Sequence, residues 1–282
     1  MPMMVGDICV KCLIDQQERL TDDKAHLEEV RRIIAERKED DTAPYLVHLF
    51  NEAYKRRFKR TVSYSDIKRT YNKFVMSMED ALRKRIEEHE DPFFTSLIFA
   101  RYGNFIDFGA MKDIDEERFL SLFDDTEPGE NDRRTFMRFT GELETAKTFL
   151  LIADNSGEIV LDKLFIEQLK KRYKGIDVSV MVRGEETLND ATEEDAVYTG
   201  IDKEAKVISN GNSVAGTVYG MLSPEAREVF DGADVILSKG QGNYETLLYI
   251  DRPVYHSFLC KCDLFMGKFN VERYTGMFLR NG

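Results

Sequence analysis

From about residue 133 onward the chain alternates short apolar runs with helix-length segments, and this rhythm restricts its fold more than any other feature. The runs are "KTFLLIAD", "DVSVMVRG", "AKVISNG", "ADVILSK" and "PVYHSFLCKC". The segments between them include "EIVLDKLFIEQLKKRY", ended by Lys174-Gly175, and "SPEAREVFDG". Apolar strands separated by helices imply βαβ units, because parallel neighbours need a crossover long enough to return the chain to the same edge. Strands that are apolar throughout, rather than alternating, imply a sheet covered on both faces. The expectation is a doubly wound, mainly parallel α/β sheet of Rossmann-like form.

The first half reads differently. Asp22–Lys38 places Leu27, Val30, Ile33 and Ile34 on one helical stripe, and Ala43–Phe58 repeats the pattern with Pro44 in its first turn. Ser65–Glu90 reads as one long helix, capped by Ser65 and stopped before Asp91-Pro92. The acidic turn around Pro128-Gly129 marks a change of character. An all-helical N-terminal domain is therefore expected over residues 1–132, and an α/β domain that binds metal and phosphate over 133–282.

A formal net charge of −12 argues against a broad nucleic-acid face, since such a surface repels phosphates. The basic cluster Lys55, Arg56, Arg57, Lys59, Arg60 lies at a helix C-terminus, where cations are favoured for other reasons. Asp7 and Lys11 interrupt the only apolar stretch near the start, so neither a signal peptide nor a membrane span is expected there. A cytoplasmic protein that binds neither nucleic acid nor membrane is the simplest reading. The four cysteines form two close pairs, Cys9/Cys12 and Cys260/Cys262. A structural zinc clip or redox pair joining the chain ends is one reading, and the buried side of a first helix is the other.

In a doubly wound sheet, ligands bind beyond the carboxyl ends of the strands. Those ends carry Asp154-Asn155, Arg183-Gly184, Asn210-Gly211, Lys239-Gly240 and Lys261. Helix capping accounts for Asn155 and for Glu158 three residues on. It leaves Asp154 unexplained, because a carboxylate at the buried end of a strand must be paired or coordinated. A hard divalent cation has the matching needs: carboxylates, a neutral carbonyl oxygen and waters. "SKGQGNYE" sets Lys239 before Gly240 and Gly242 at a helix start, an arrangement suited to an anion and unlike a Walker loop. Asn189-Asp190 occupies a local turn after the second strand.

Together "DNSGE", "LNDATEEDA" and "SKGQGNYE" resemble the metal-dependent damage-control phosphatases, the acidic-residue-methyltransferase-like family. "GNFIDFG" and the early Cys-x-x-Cys are similar to its compact archaeal-type branch. The resemblance implies a divalent cation, among manganese, cobalt, nickel and magnesium, held by Asp154, Asn155 and Asp190. It implies a phosphate-binding Lys239, an acidic Glu158, and a segment from the helical part carrying Asn104 with Asp107 close behind. Ser156 stands where many members have alanine. The activity implied is hydrolysis of small phosphoesters such as sugar phosphates or phosphorylated cofactor-related metabolites. Gly240, Gly242 and Asn243 would cradle the phosphate with Arg183 as an additional clamp, and Glu158 or Asp190 would act as base. Carboxyl methyl transfer is the weaker reading, as a S-adenosylmethionine site usually has a glycine-rich first turn and "ADNSGE" has one glycine. A third is a nucleotide-binding module without catalysis.

Overall fold

The computed structural model describes residues 5–106, 115–124 and 129–281. Its centre is a six-stranded sheet in the order β3-β2-β1-β4-β5-β6. The strands are β1 (Thr148–Ile152), β2 (Asp177–Val182), β3 (Lys206–Ser209), β4 (Val235–Lys239), β5 (Tyr255–Leu259) and β6 (Gly276–Arg280). β1 to β5 run parallel, and β6 closes one edge antiparallel to β5. Both faces are covered, as the unbroken apolar runs require. Phe149 and Leu151 point into one core with Val180, Val182 and Leu237, while Leu150 and Ile152 point into the other with Met181, Ile208 and Ile236.

Helix α9 (Glu158–Arg172) and α10 (Glu193–Thr199) follow β1 and β2 onto the first face. The second face takes α11 (Pro224–Gly232) and the Leu247 end of α12 (Gln241–Leu247). Because the winding reverses between β1 and β4, their carboxyl ends flank the crevice where such sheets bind ligands. Asp154 and Lys239 lie at those two ends.

The helical half does two different things. Helices α1 (Asp7–Leu20), α2 (Lys24–Ala35) and α3 (Ala43–Phe58) form their own small core around Leu13, Val30, Ile34, Leu46 and Phe50. They lie over the ligand edge, α3 against α12 and α1 against α13 (Asp263–Phe269). In contrast α4 (Ser65–Met76), α5 (Glu79–Glu88), α6 (Pro92–Gly103), α7 (Glu116–Ser121) and α8 (Glu130–Leu143) share one continuous core with the first sheet face. Helix α6, "PFFTSLIFARYG", is buried on nearly every side against α9, which explains why its apolar residues show no stripe.

The expected single helix over Ser65–Glu90 is two helices, broken at Ser77-Met78. The Ser77 hydroxyl donates to the Phe74 carbonyl and to Glu116, and Met78 turns into the core. Among the described residues no helix is long and apolar enough to cross a membrane.

Phe139 of α8 is fully buried and meets Tyr255 at 4.9 Å and Phe278 at 5.7 Å between ring centroids, with Phe149 also in range. It therefore joins α8 to three strands. Phe139→Ala should cost about 3–5 kcal/mol, read as a lower urea midpoint at an unchanged denaturant slope.

Candidate active site

The backbone after β1 does not cap its helix with Asn155. The α9 N-cap is Gly157 at φ +80, and its N–H is taken by the Asn72 side chain of α4 at 2.6 Å. This frees the Asn155 carboxamide, which donates to Asp154 Oδ2 at 2.6 Å and to Glu158 Oε2 at 3.1 Å. Asn104, at the end of α6, donates to the same two oxygens at 2.8 and 3.0 Å. Two amides thus clasp two buried carboxylates. Leu259 of β5 holds Asn104 in turn through an N–H to its Oδ1 at 3.3 Å.

Asp190 arrives on the loop after β2. An isolated antiparallel bridge ties Asn155 to Asp190, and the Ala191 N–H donates to the Asp154 carbonyl at 2.7 Å. The three residues expected to share a cation are therefore brought together by backbone pairing. Arg183, 1% exposed, donates from Nε to Asp190 Oδ2 at 2.6 Å, and its Nη2 lies 3.8 Å from Asp154 Oδ1. Its Nη1 is buried and has no partner among the described residues.

Asn243 stitches the edge together. It donates to the carbonyls of Ala153 and Lys239 and accepts from Arg183 and Thr217. Gly240, at φ +79, is where a missing side chain matters: a Cβ there would sit 2.0 Å from Asp154 Oδ2. Gly242 is equally tight, against the Ala215 carbonyl at 2.2 Å. Of the residues expected to cradle phosphate, Gly240 makes room for the Asp154 carboxylate, Gly242 for the Ala215 carbonyl, and Asn243 ties the strand ends.

Lys239 differs from expectation. Its ammonium is fully buried and donates to Glu158 Oε1 at 2.8 Å, Asp162 Oδ1 at 2.5 Å and the Ala100 carbonyl at 2.9 Å. A lysine has three donors, and all three are spent. Lys239 therefore stands one layer behind the ligand edge and reaches it through Glu158. Asp162, one helical turn after Glu158, went unnoticed in the sequence, though its i,i+4 spacing from Glu158 toward a strand-end lysine was a readable signal. Lys261 at the end of β5 is a second cation whose charge reaches Asp154. Asp107 lies outside the described residues.

Burial, then Asp190 and Glu158, push Asp154 up to about 8. Burial raises Asp162 to about 7 despite Lys239, and raises Asp190 against the pull of Arg183. Burial works against the Lys239 ammonium, but Asp162 and Glu158 outweigh it and hold its pKa above the ordinary lysine value.

The four cysteines do not form one cluster. Cys260 is buried in an aromatic core with Tyr244, Phe258 and Phe265, whereas Cys9, Cys12 and Cys262 line a cavity between α1 and α13. All four are free thiols, and among the described residues no three of His, Cys, Asp and Glu converge to hold a metal ion. The four-thiol zinc clip does not match this geometry, because Cys260 is committed to packing.

The chain is thus a doubly wound α/β protein with buried carboxylates and amides clustered at the reversal point of its sheet. Residues 6–276 match the damage-control phosphatase ARMT1-like domain, and the chain belongs to that family. It is 31% identical over 273 residues to the uncharacterized protein MJ0202 of Methanocaldococcus jannaschii, covering 90% of this chain and 87% of that one. It is 28% identical to a damage-control phosphatase of Archaeoglobus fulgidus, covering 93% of each. It is 27% identical to damage-control phosphatase PH1575 of Pyrococcus horikoshii, covering 99% of each. The crystal structure of a DUF89 family protein from P. horikoshii superposes with a TM-score of 0.86 at 23% identity, over 99% of this chain and all of that one, and shows the same fold.

Two predictions follow from the buried charges. Lys239→Met would leave Glu158 and Asp162 facing each other without a cation and should cost about 3–5 kcal/mol in chemical denaturation. For Asp154 the folded pKa lies above the unfolded one, so the native state holds a proton that the unfolded chain has released. That stabilisation is complete below about pH 4 and is lost as pH rises through about 8. In chelator, Asp154→Asn should therefore gain Tm relative to the parent between pH 5 and 8, and added divalent cation should reverse the ranking.

Proposed function

We propose that the chain is a metal-dependent phosphomonoesterase acting on small phosphorylated metabolites. Its family membership and the names of two relatives support phosphatase chemistry. The observation that carries the metal is a charge imbalance: among the described residues, Asp154, Glu158, Asp162 and Asp190 are buried and only two cations, Lys239 and Arg183, make hydrogen bonds to them, with Lys261 and Lys68 acting from further off. The negative charge left without a bonded cation is to be met by protons or by a divalent cation. The donor set fits a hard ion, since two carboxylates and a carboxamide are all oxygen ligands. Asp154, Asn155 and Asp190 would hold it.

Once bound, such an ion supplies polarisation of a phosphoryl oxygen and an oriented water. The remaining work belongs to the chain. The unpartnered Nη1 of Arg183 offers an N–H to a phosphoryl oxygen while Asp190 fixes the guanidinium. Glu158 accepts from Lys239, Asn104 and Asn155, so both its oxygens are engaged. In this reading Glu158 orients the two amides rather than taking a proton. Lys239 and Asp162 are positioning residues behind it. Lys261 adds positive charge at the same edge.

Hydrolysis of para-nitrophenyl phosphate, assayed with manganese, cobalt, nickel or magnesium, tests this reading. Asp154→Ala should lower kcat by at least about a hundredfold with unchanged far-ultraviolet circular dichroism, and chelation should silence the parent reversibly. Parent-like turnover in the variant would refute the assignment.

A further inference from the structure

A cavity of about 390 Å3 lies between α1 and α3 on one side and the ligand edge of the sheet on the other. Its floor belongs to the loops that build the carboxylate cluster. Leu188 is two residues from Asp190, Gln241 follows the Gly240 that abuts Asp154, and Lys261 bears on the Asp154 carboxylate. Gln241 binds these parts together, accepting from the Lys261 N–H and donating to Cys262 and Glu245.

The roof is apolar and soft: Leu13 of α1 and Val47 of α3, with Cys9 and Cys12 beside them. Burial pushes the Cys9 and Cys262 thiols up, so they are neutral near pH 7, and pushes Glu245 up to about 7, where about half of it is ionised; the charged Lys261, Asp263 and Arg273 stand on the side of the cavity away from this roof. Arg273 has donors committed to the Lys261 carbonyl and to Asp263. No aromatic side chain lines the cavity among the described residues, so it offers no stacking platform for a base.

Resting on the phosphatase reading, we propose that this thiol-lined cavity receives the leaving group of the phosphoester and selects an uncharged, flexible aliphatic alcohol over a nucleoside. The phosphoryl group sits at the Asp154 edge beside Arg183, and the alkyl chain runs under α1 and α3. Cys9, Cys12 and Cys262 serve as polarizable wall, which gives the unclaimed cysteines a place without a metal or a disulfide.

The test uses the full chain with a divalent cation and straight-chain alkyl monophosphates from ethyl to hexyl, with adenosine monophosphate as the counter-substrate. Expected is a rise in kcat/KM of about fourfold per added methylene, with the nucleotide well below hexyl phosphate. In parallel, hexyl phosphate should slow N-ethylmaleimide labelling of Cys9 and Cys262, mapped by mass spectrometry, while the shorter ethyl phosphate should not. Val47→Trp, or Cys12→Trp should the first fail to fold, should bring the hexyl-to-ethyl ratio down toward one. Hydrolysis that ignores chain length, or labelling that hexyl phosphate leaves untouched, overturns the cavity assignment. Absence of hydrolysis for every ester would sink the phosphatase reading instead, and thiol protection would then still decide the cavity.

Discussion

Four carboxylates held out of water beside two cations are the constraint on which this structure depends. Burying them is costly, and each neighbouring device lowers that cost. Lys239 spends every donor on Glu158, Asp162 and a carbonyl. Asn104 and Asn155 clasp Asp154 to Glu158. Gly240 withholds a side chain where one would collide with Asp154. What is left without a bonded cation is negative charge at one edge of the sheet.

The helical half serves that edge at two levels. Helices α4 to α8 are an integral layer of the sheet: they fill its first face, and α6 and α4 send Asn104 and Asn72 to the loop after β1. Asn72 is itself held by Asp195, which also pairs with the buried Lys68, so the α9 start is braced from α4 and α10 together. Helices α1 to α3 keep a separate small core and stand over the ligand edge. The first layer sets the geometry of the charges; the second encloses the space beside them.

Much of the architecture was legible because burial on both faces leaves an unbroken apolar run, and solvent on one face leaves a stripe. β1 to β5, α2, α3 and α11 all follow from that rule. Three features escaped it. Helix α6 is apolar all round and carries no periodicity to read. β6 is edge-placed and only half-buried. Ser65–Glu90 keeps its heptad-like pattern through a break that is decided by the Ser77 hydroxyl and a buried Met78.

The site divides along the same line. The residue types at the strand ends, and hence Asp154, Asn155, Arg183 and the Gly240 turn, were determined by the sequence alone, since parallel strands must deliver their ends to one edge; Asp190 joins them only through its loop's bridge to Asn155. The partners of those residues were decided only in three dimensions. The capping pattern Asn155…Glu158 became a clasp on Asp154 because Asn72 took over the helix start. Lys239 turned inward because Asp162 and Glu158 share its side of α9. Cys260, just after β5, is kept from Cys9 and Cys12 because it packs into an aromatic core. Sequence spacing sets which groups arrive at an edge, and long-range packing sets which way each one points.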